Sequence, residues 1–159
     1  MKTNIRWGLT LGAIVAAVTL TFALTGLHQR IEASVAFLVL AIGANIWTVI
    51  MCLRAQASTS SWGQQILNGL VLGAAASVVI FLSSWLVTGV IFPEYFAEMA
   101  EGYRGAYEAM GMSASEVDEM VAATAATSPA KSAFDGVVGT MATSLILSAI
   151  AGFWIRKKD

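Results

Sequence analysis

Side chains able to do chemistry are scarce in this sequence. One histidine, His28, and one cysteine, Cys52, accompany ten acidic residues in a chain of 159. A nucleophile needs a positioned base, and His28 is the only conventional one. Serines are plentiful, but none sits in a G-x-S-x-G elbow, and no phosphate-cradling G-x-x-x-x-G-K pattern occurs. One histidine and one cysteine cannot assemble the usual metal-binding set. The carboxylates from Glu94 to Glu119 are spaced as a solvated helical face, not as a pair converging on a cleft. Cys52 reads as a packing residue, with reversible acylation the minor reading. The residues thus predict no catalytic, cofactor or metal site, and no enzyme.

Two polar residues stand out because of where they lie. Asn45 falls near the middle of a long apolar stretch, where an unpaired amide is costly. It is expected to hydrogen-bond a neighbouring helix, with a ligand contact as the minority reading. Asp135 is the one acidic residue inside an apolar stretch. A rise of about 1.5 Å per residue puts it about 30 Å from Ile155, at a membrane boundary rather than the midplane. Helix-start stabilisation, or pairing with Arg104, Arg30 or Lys131, is expected there; a polar or ion site is the alternative.

The elements that must position these residues follow from composition. The chain is 57% hydrophobic and 12% charged, with a mean hydropathy of +0.74. Soluble domains run nearer half apolar and a quarter charged, and a chain this short cannot wrap so much apolar surface in a water-facing shell. A net charge of −1 offers nucleic acid no basic excess. Four stretches pass the length test of about twenty residues for a spanning helix: residues 7–27, 33–53, 66–92 and 133–155. None shows the alternation of a barrel strand. The first is too long for a signal-peptide core and lacks an A-x-A-like cleavage site, so it is expected to be retained.

Basic residues set the orientation. Lys2, Arg6, Arg54, Arg156, Lys157 and Lys158 fall on one side, and Arg30, Arg104 and Lys131 on the other. Both termini are therefore expected in the cytoplasm. Trp7, Trp62 and Trp154 suit the inner boundary, whereas Trp47 and Trp85 lie deeper and look like packing residues.

The outer segment, about residues 93–128, is the only long connection. At 100° per residue, Tyr95, Phe96, Met99, Tyr103, Ala106, Tyr107 and Met110 share one face. Glu94, Glu98, Glu101, Arg104 and Glu108 oppose them. Pro93 suits a first helical turn, Gly111 a left-handed cap, and Ser113-x-x-Glu116 a capping box opening a second helix. Pro129 is expected to close that helix. The prediction is an extramembrane amphipathic helical hairpin. Its glutamates would repel anionic headgroups. Its apolar face is therefore expected to cap its own bundle, or to dock on a partner or a second copy, with lipid sensing as the remaining reading.

Small residues mark the helix seams. Gly136, Thr140, Ser144, Ser148 and Gly152 recur every fourth position of the last span, allowing close backbone approach at a right-handed crossing. Gly8/Gly12 and Gly69/Gly73 offer complementary grooves. Gly8-Leu9-Thr10-Leu11-Gly12-Ala13 also resembles Gly69-Leu70-Val71-Leu72-Gly73-Ala74, as a duplicated helical hairpin would, although low-complexity membrane sequence makes such matches easily.

Taken together, several motifs resemble a bacterial family catalogued as domain of unknown function 4199. They are Trp7-Gly8-Leu9-x-x-Gly12, the run from Trp62-Gly63 to Asn68-Gly69, Phe92-Pro93-Glu94-Tyr95-Phe96, Gly111-Met112-Ser113 with Glu116, and Trp154-Ile155-Arg156-Lys157-Lys158. The resemblance covers almost the whole chain and implies a four-helix inner-membrane protein, with no activity or functional residues to carry over. The outer segment is richer in alanine and poorer in lysine than is usual in the family.

The expected molecule is an all-α integral membrane protein of one domain, with four transmembrane helices in a bundle and an outer hairpin between the third and fourth. It is expected in a bacterial inner membrane, in contact with lipid and without cofactor. Its expected role is a noncatalytic structural or interaction subunit, as a homo-oligomer or in a larger membrane complex through the outer hairpin. The rival is a small transporter or channel with a polar site near Asn45 and Asp135, since repeat interfaces often host substrate sites.

Overall fold

A computed structural model describes residues 1–157; Lys158, counted above with the basic cluster, lies outside the described residues. Six α-helices account for nearly all of it: α1 (Lys2–Leu24), α2 (Ile31–Arg54), α3 (Trp62–Leu86), α4 (Tyr95–Ala109), α5 (Ala114–Ala125) and α6 (Pro129–Ile155). Four of them are long and apolar enough to cross a membrane: α1, α2, α6, and α3 extended to Ile91. Gly26, at φ 69°, turns the chain out of α1, and a single turn of 3-10 helix at Leu27–Gln29 leads into α2.

Every spanning helix begins earlier than its apolar stretch. Helix α1 starts at Lys2 and α3 at Trp62, so Asn4, Gln64 and Gln65 lie within helices rather than before them. The start of α3 is a capping box in which Ser61 accepts from the Gln64 amide while the Gln64 side chain accepts from the Ser61 amide. Helix α6 starts at Pro129, capped by Ser128. Pro129 thus opens α6 instead of closing α5, because a proline at the first helical position gives up no needed donor. Pro93 lies in the turn before α4, with Glu94 as the residue preceding that helix.

Helix α3 is central, packing along α1 on one side and α6 on the other, while α2 leans about equally on α1 and α6. Backbone approach explains this order. A side chain on Gly8 would strike the Leu72 carbonyl and Ala75, and one on Gly12 would come within 2.6 Å of Val79. Gly69 faces Ser148, Gly73 lies 3.1 Å from Ser144, and Gly152 lies 2.9 Å from Gln65 by the same measure. Gly136 meets Ile80 at ordinary van der Waals distance. In lipid, such close packing is a main source of helix association. The two glycine pairs are not used alike: Gly69 and Gly73 face α6, the partner of α3 in its own hairpin, whereas Gly8 and Gly12 face α3 rather than α2.

Two polar clusters mark the two ends of the long helices. At the end carrying both termini, Asn4 donates to Asn68 at 2.9 Å and accepts from Gln56 at 2.6 Å. Asn68 donates to Gln65, which donates to the Leu53 carbonyl. Cys52 is fully buried beside this cluster. Above it lies the close-packed core of Leu11, Val15, Val49, Leu53, Leu72, Ala76 and Ile80. The opposite, distal end carries α4, which packs on the turn between α1 and α2, and α5, which packs on α4. Gly111 stands between them at φ 81°, and the Ser113–Glu116 capping box opens α5.

Candidate functional site: a cavity under the distal helix

Between the close-packed core and α4 the long helices separate around a cavity of about 400 Å³. Its walls come from single helix faces. Helix α2 contributes Ser34, Phe37, Leu38, Ala41, Ile42 and Asn45, and α6 contributes Ser132, Asp135, Gly136, Gly139, Thr140 and Thr143. Both sets follow the three- and four-residue spacing of one helical stripe. Leu11, Val15, Thr19 and Phe22 of α1 and Ile80, Ser84 and Thr88 of α3 form the back. His28, Tyr95, Phe96 and Met99 roof it.

Thr88 belongs to a turn of π-helix, Val87–Ile91, that continues α3. Such widened turns recur at functional sites. Here Thr88 is buried, its hydroxyl donating to the Ser84 carbonyl, and Gly89 approaches Pro129 at the start of α6.

The floor is set by Asn45. Its Oδ1 accepts from the buried Ser144 hydroxyl at 3.1 Å, and its Nδ2 donates to the Thr140 carbonyl at 3.4 Å. Asn45 therefore clamps α2 to α6 where the cavity ends. Of the α6 stripe, Gly136, Ser144, Ser148 and Gly152 face α3, whereas Thr140 offers its carbonyl to α2.

Asp135 lies on the cavity wall but not at the helix start, since α6 begins six residues earlier. It accepts from Lys131 at 2.7 Å, with both side chains well exposed. Arg104, another partner considered for it, instead binds Asp118 of α5 at 2.8 Å and Glu101 at 3.1 Å. Those carboxylates hold the guanidinium proton above its usual affinity.

The roof joins the apolar face of α4, which its spacing marked out, to residues of the α1–α2 turn that carry no such signal. His28 is buried, with Nδ1 donating to the Phe22 carbonyl at 3.2 Å and Nε2 3.0 Å from Glu98. Gln29 donates to the same carboxylate, and the Tyr95 ring stacks on His28 at 4.4 Å between centroids. Glu98 stays exposed, as the wheel placed it, and from there reaches the α1–α2 turn. Tyr103 hydrogen-bonds Ser34, and Gly102 lets α4 lie against Gln29, whose carbonyl a side chain would strike. Burial pushes the Tyr95 hydroxyl up to about 12, with Tyr103 adding to the shift. Among the described residues, no group of three or more His, Cys, Asp or Glu side chains could hold a metal ion.

The cavity opens sideways between α2 and α6. Leu38 and Ile42 line it yet are 57% and 40% exposed. Gly139 is likewise exposed on the facing wall, with open space where a side chain would stand.

Among known proteins, no curated sequence and no solved structure matches the chain. A family described as protein of unknown function (DUF4199) matches residues 6–157, nearly the whole chain, and four of its helices can cross a membrane. The chain belongs to the DUF4199 family of proteins of unknown function.

Proposed function

We propose that this is a noncatalytic multi-pass protein of a bacterial inner membrane that binds a small apolar or amphiphilic molecule in the distal cavity, as a small transporter does. One observation carries the reading: Asn45 and Asp135 share the lining of a single cavity of about 400 Å³, within the usual range for ligand sites of about 300–1,000 Å³. The sites that first favoured a pure interaction subunit find partners within the chain. The α6 stripe meets α3, and Phe96, Ala100 and Tyr103 of α4 are buried. Catalysis is disfavoured because both His28 ring nitrogens are engaged, leaving none to activate a serine. An open channel is disfavoured because the cavity ends where Asn45 clamps α2 to α6, and Val49, Leu53 and Leu72 of the core cluster, outside its lining, are fully buried.

Four helices and the basic residues Lys2, Arg6, Arg54, Arg156 and Lys157 support cytoplasmic termini under the positive-inside rule, with α4 and α5 outside. The test is thiol labelling in oriented vesicles. A membrane-impermeant maleimide added from the outer side is expected to label Gly139→Cys and Ser132→Cys, and to spare the buried Cys52. Labelling only from the side of the termini, or none at either position, overturns the reading.

A second reading, a self-associating or accessory subunit, is favoured by α5. That helix buries only Val117, and Met110 and Met120 beside it are exposed. Crosslinking with mass measurement in mild detergent tests it; a strictly monomeric species without captured neighbours refutes it.

A further inference from the structure

We propose that the cavity is an acyl-chain site, which admits one hydrocarbon chain of a lipid from the outer leaflet through the opening between α2 and α6; the inference rests on the reading of the cavity as a ligand site. Length is the first ground. Ser34 to Asn45 on α2 and Ser132 to Thr143 on α6 both rise about 16 Å, close to the half-thickness of about 15 Å of a bilayer's hydrocarbon core. The site therefore runs from the boundary to the midplane, as one leaflet's chain does.

Polarity is the second ground. The middle of the groove is made by Leu38, Ile42, Ile80 and Gly139. At the midplane end, the Asn45 amide is occupied by α6 and asks nothing of an occupant. At the boundary end the ion-paired Lys131 and Asp135 present one charge of each sign, which suits a zwitterionic headgroup. The opening is flanked by the exposed Val35 and Val39 of α2 and Val138 and Ile146 of α6, so lipid meets it from the side, while water reaches it from the boundary end past Ser132 and Asp135.

Room is the third ground. A volume of about 400 Å³ spread along that length accommodates a single alkyl chain over the whole groove.

The test reconstitutes the full chain in phosphatidylcholine vesicles containing a little phosphatidylcholine with a diazirine midway along one acyl chain. After photolysis, peptides are mapped by mass spectrometry. Labelling of residues 38–45 and 136–143 is expected to exceed that of the lipid-facing Val78 and Leu82 on α3 by about tenfold, the mark of a bound chain over passing lipid. Gly139→Phe, which fills the groove from a position with free space, is expected to reduce it to that background. Gly43→Phe, equally unobstructed but off the lining, is expected to leave it unchanged, and thermal melts verify that both variants fold.

Even labelling over all lipid-facing helices, indifference to Gly139→Phe, or capture of a protein neighbour in the groove each overturns the proposal. Where lipid labelling fails but impermeant maleimide still reaches Gly139→Cys, the acyl-chain site falls and the aqueous ligand site stands. Where both fail, both fall.

Discussion

Replacing Asn45 by alanine removes the one side-chain clamp between α2 and α6 at the cavity floor. Two hydrogen bonds go with it, one of ordinary length from Ser144 at 3.1 Å and one long contact to the Thr140 carbonyl at 3.4 Å. Side-chain hydrogen bonds in a bilayer average about 0.6 kcal/mol and reach about 1.7, so the pair is expected to be worth about 1 kcal/mol. A buried hydroxyl left without a partner costs about 1–3 kcal/mol, but Ser144 can turn to a carbonyl of its own helix, which holds the loss near the lower end. The assay is a double-mutant cycle of Asn45→Ala and Ser144→Ala, read as reversible unfolding in mixed micelles. The expected coupling is that of the Asn45–Ser144 bond alone, about 0.6 kcal/mol or about a threefold change in the unfolding equilibrium, since the Thr140 contact is lost in both Asn45→Ala backgrounds. Strictly additive single variants would refute the clamp, and with it the account of why the cavity stops at Asn45.

Other perturbations have equally definite outcomes. Gly69→Val is expected to cost about 1–3 kcal/mol of stability in the same unfolding assay, because its branch must displace Ser148 or the α6 backbone; a neutral result would mean that α3 and α6 separate freely. His28→Ala is expected to loosen α4 from the α1–α2 turn, seen as faster amide exchange over residues 95–103 with α1 and α3 unchanged, since the imidazole holds both Glu98 and the Phe22 carbonyl. Hydrogen bonds from the Ser113 side chain and amide hold the Glu116 carboxyl below its usual value of 4.5. Its ionised form therefore supports α5 above that value, and the support is lost as pH falls through the lowered one. Circular dichroism of Glu116→Gln, which keeps the capping geometry, is expected to lose that acid-dependent step. Asp135→Asn is expected to change stability by less than about 1 kcal/mol, because its bond to Lys131 is exposed; a larger loss would place Asp135 in a dry site.

Legibility in the sequence depended on how local each signal is. The capping box at Ser113 and the left-handed Gly111 were readable because each depends on a few adjacent residues. The same rule applied to Ser61-x-x-Gln64 would have placed the start of α3 correctly, but the apolar window hid it. The serine run read as loop, and the first hydrophobic residues lie further on. Ser128-Pro129 was a similar signal, masked by the expectation that proline ends a helix. Asn4, Gln56 and Asn68 gave no sign of joining one cluster, since they are up to 64 positions apart. The partners of Glu98 were hidden for a related reason, although it stays on the exposed face as expected. A helical wheel separates polar from apolar residues, and it cannot know that a buried histidine from another turn waits on the polar side.

By itself, the sequence determined the family, the all-helical class and the four helices able to cross a membrane. All three are sums over neighbouring residues: motif matches, helix signals, and apolar length against a bilayer's thickness. Only the tertiary structure decided that α3 is central, that α2 and α6 meet through Asn45 and part above it, and that a cavity opens there beneath α4. Those features depend on which backbones can approach, at Gly8, Gly12, Gly69 and Gly102, and on pairings across tens of residues. Hydropathy is indifferent to both, because every face of a spanning helix is apolar enough for lipid and only contact decides which face is spent on a neighbour.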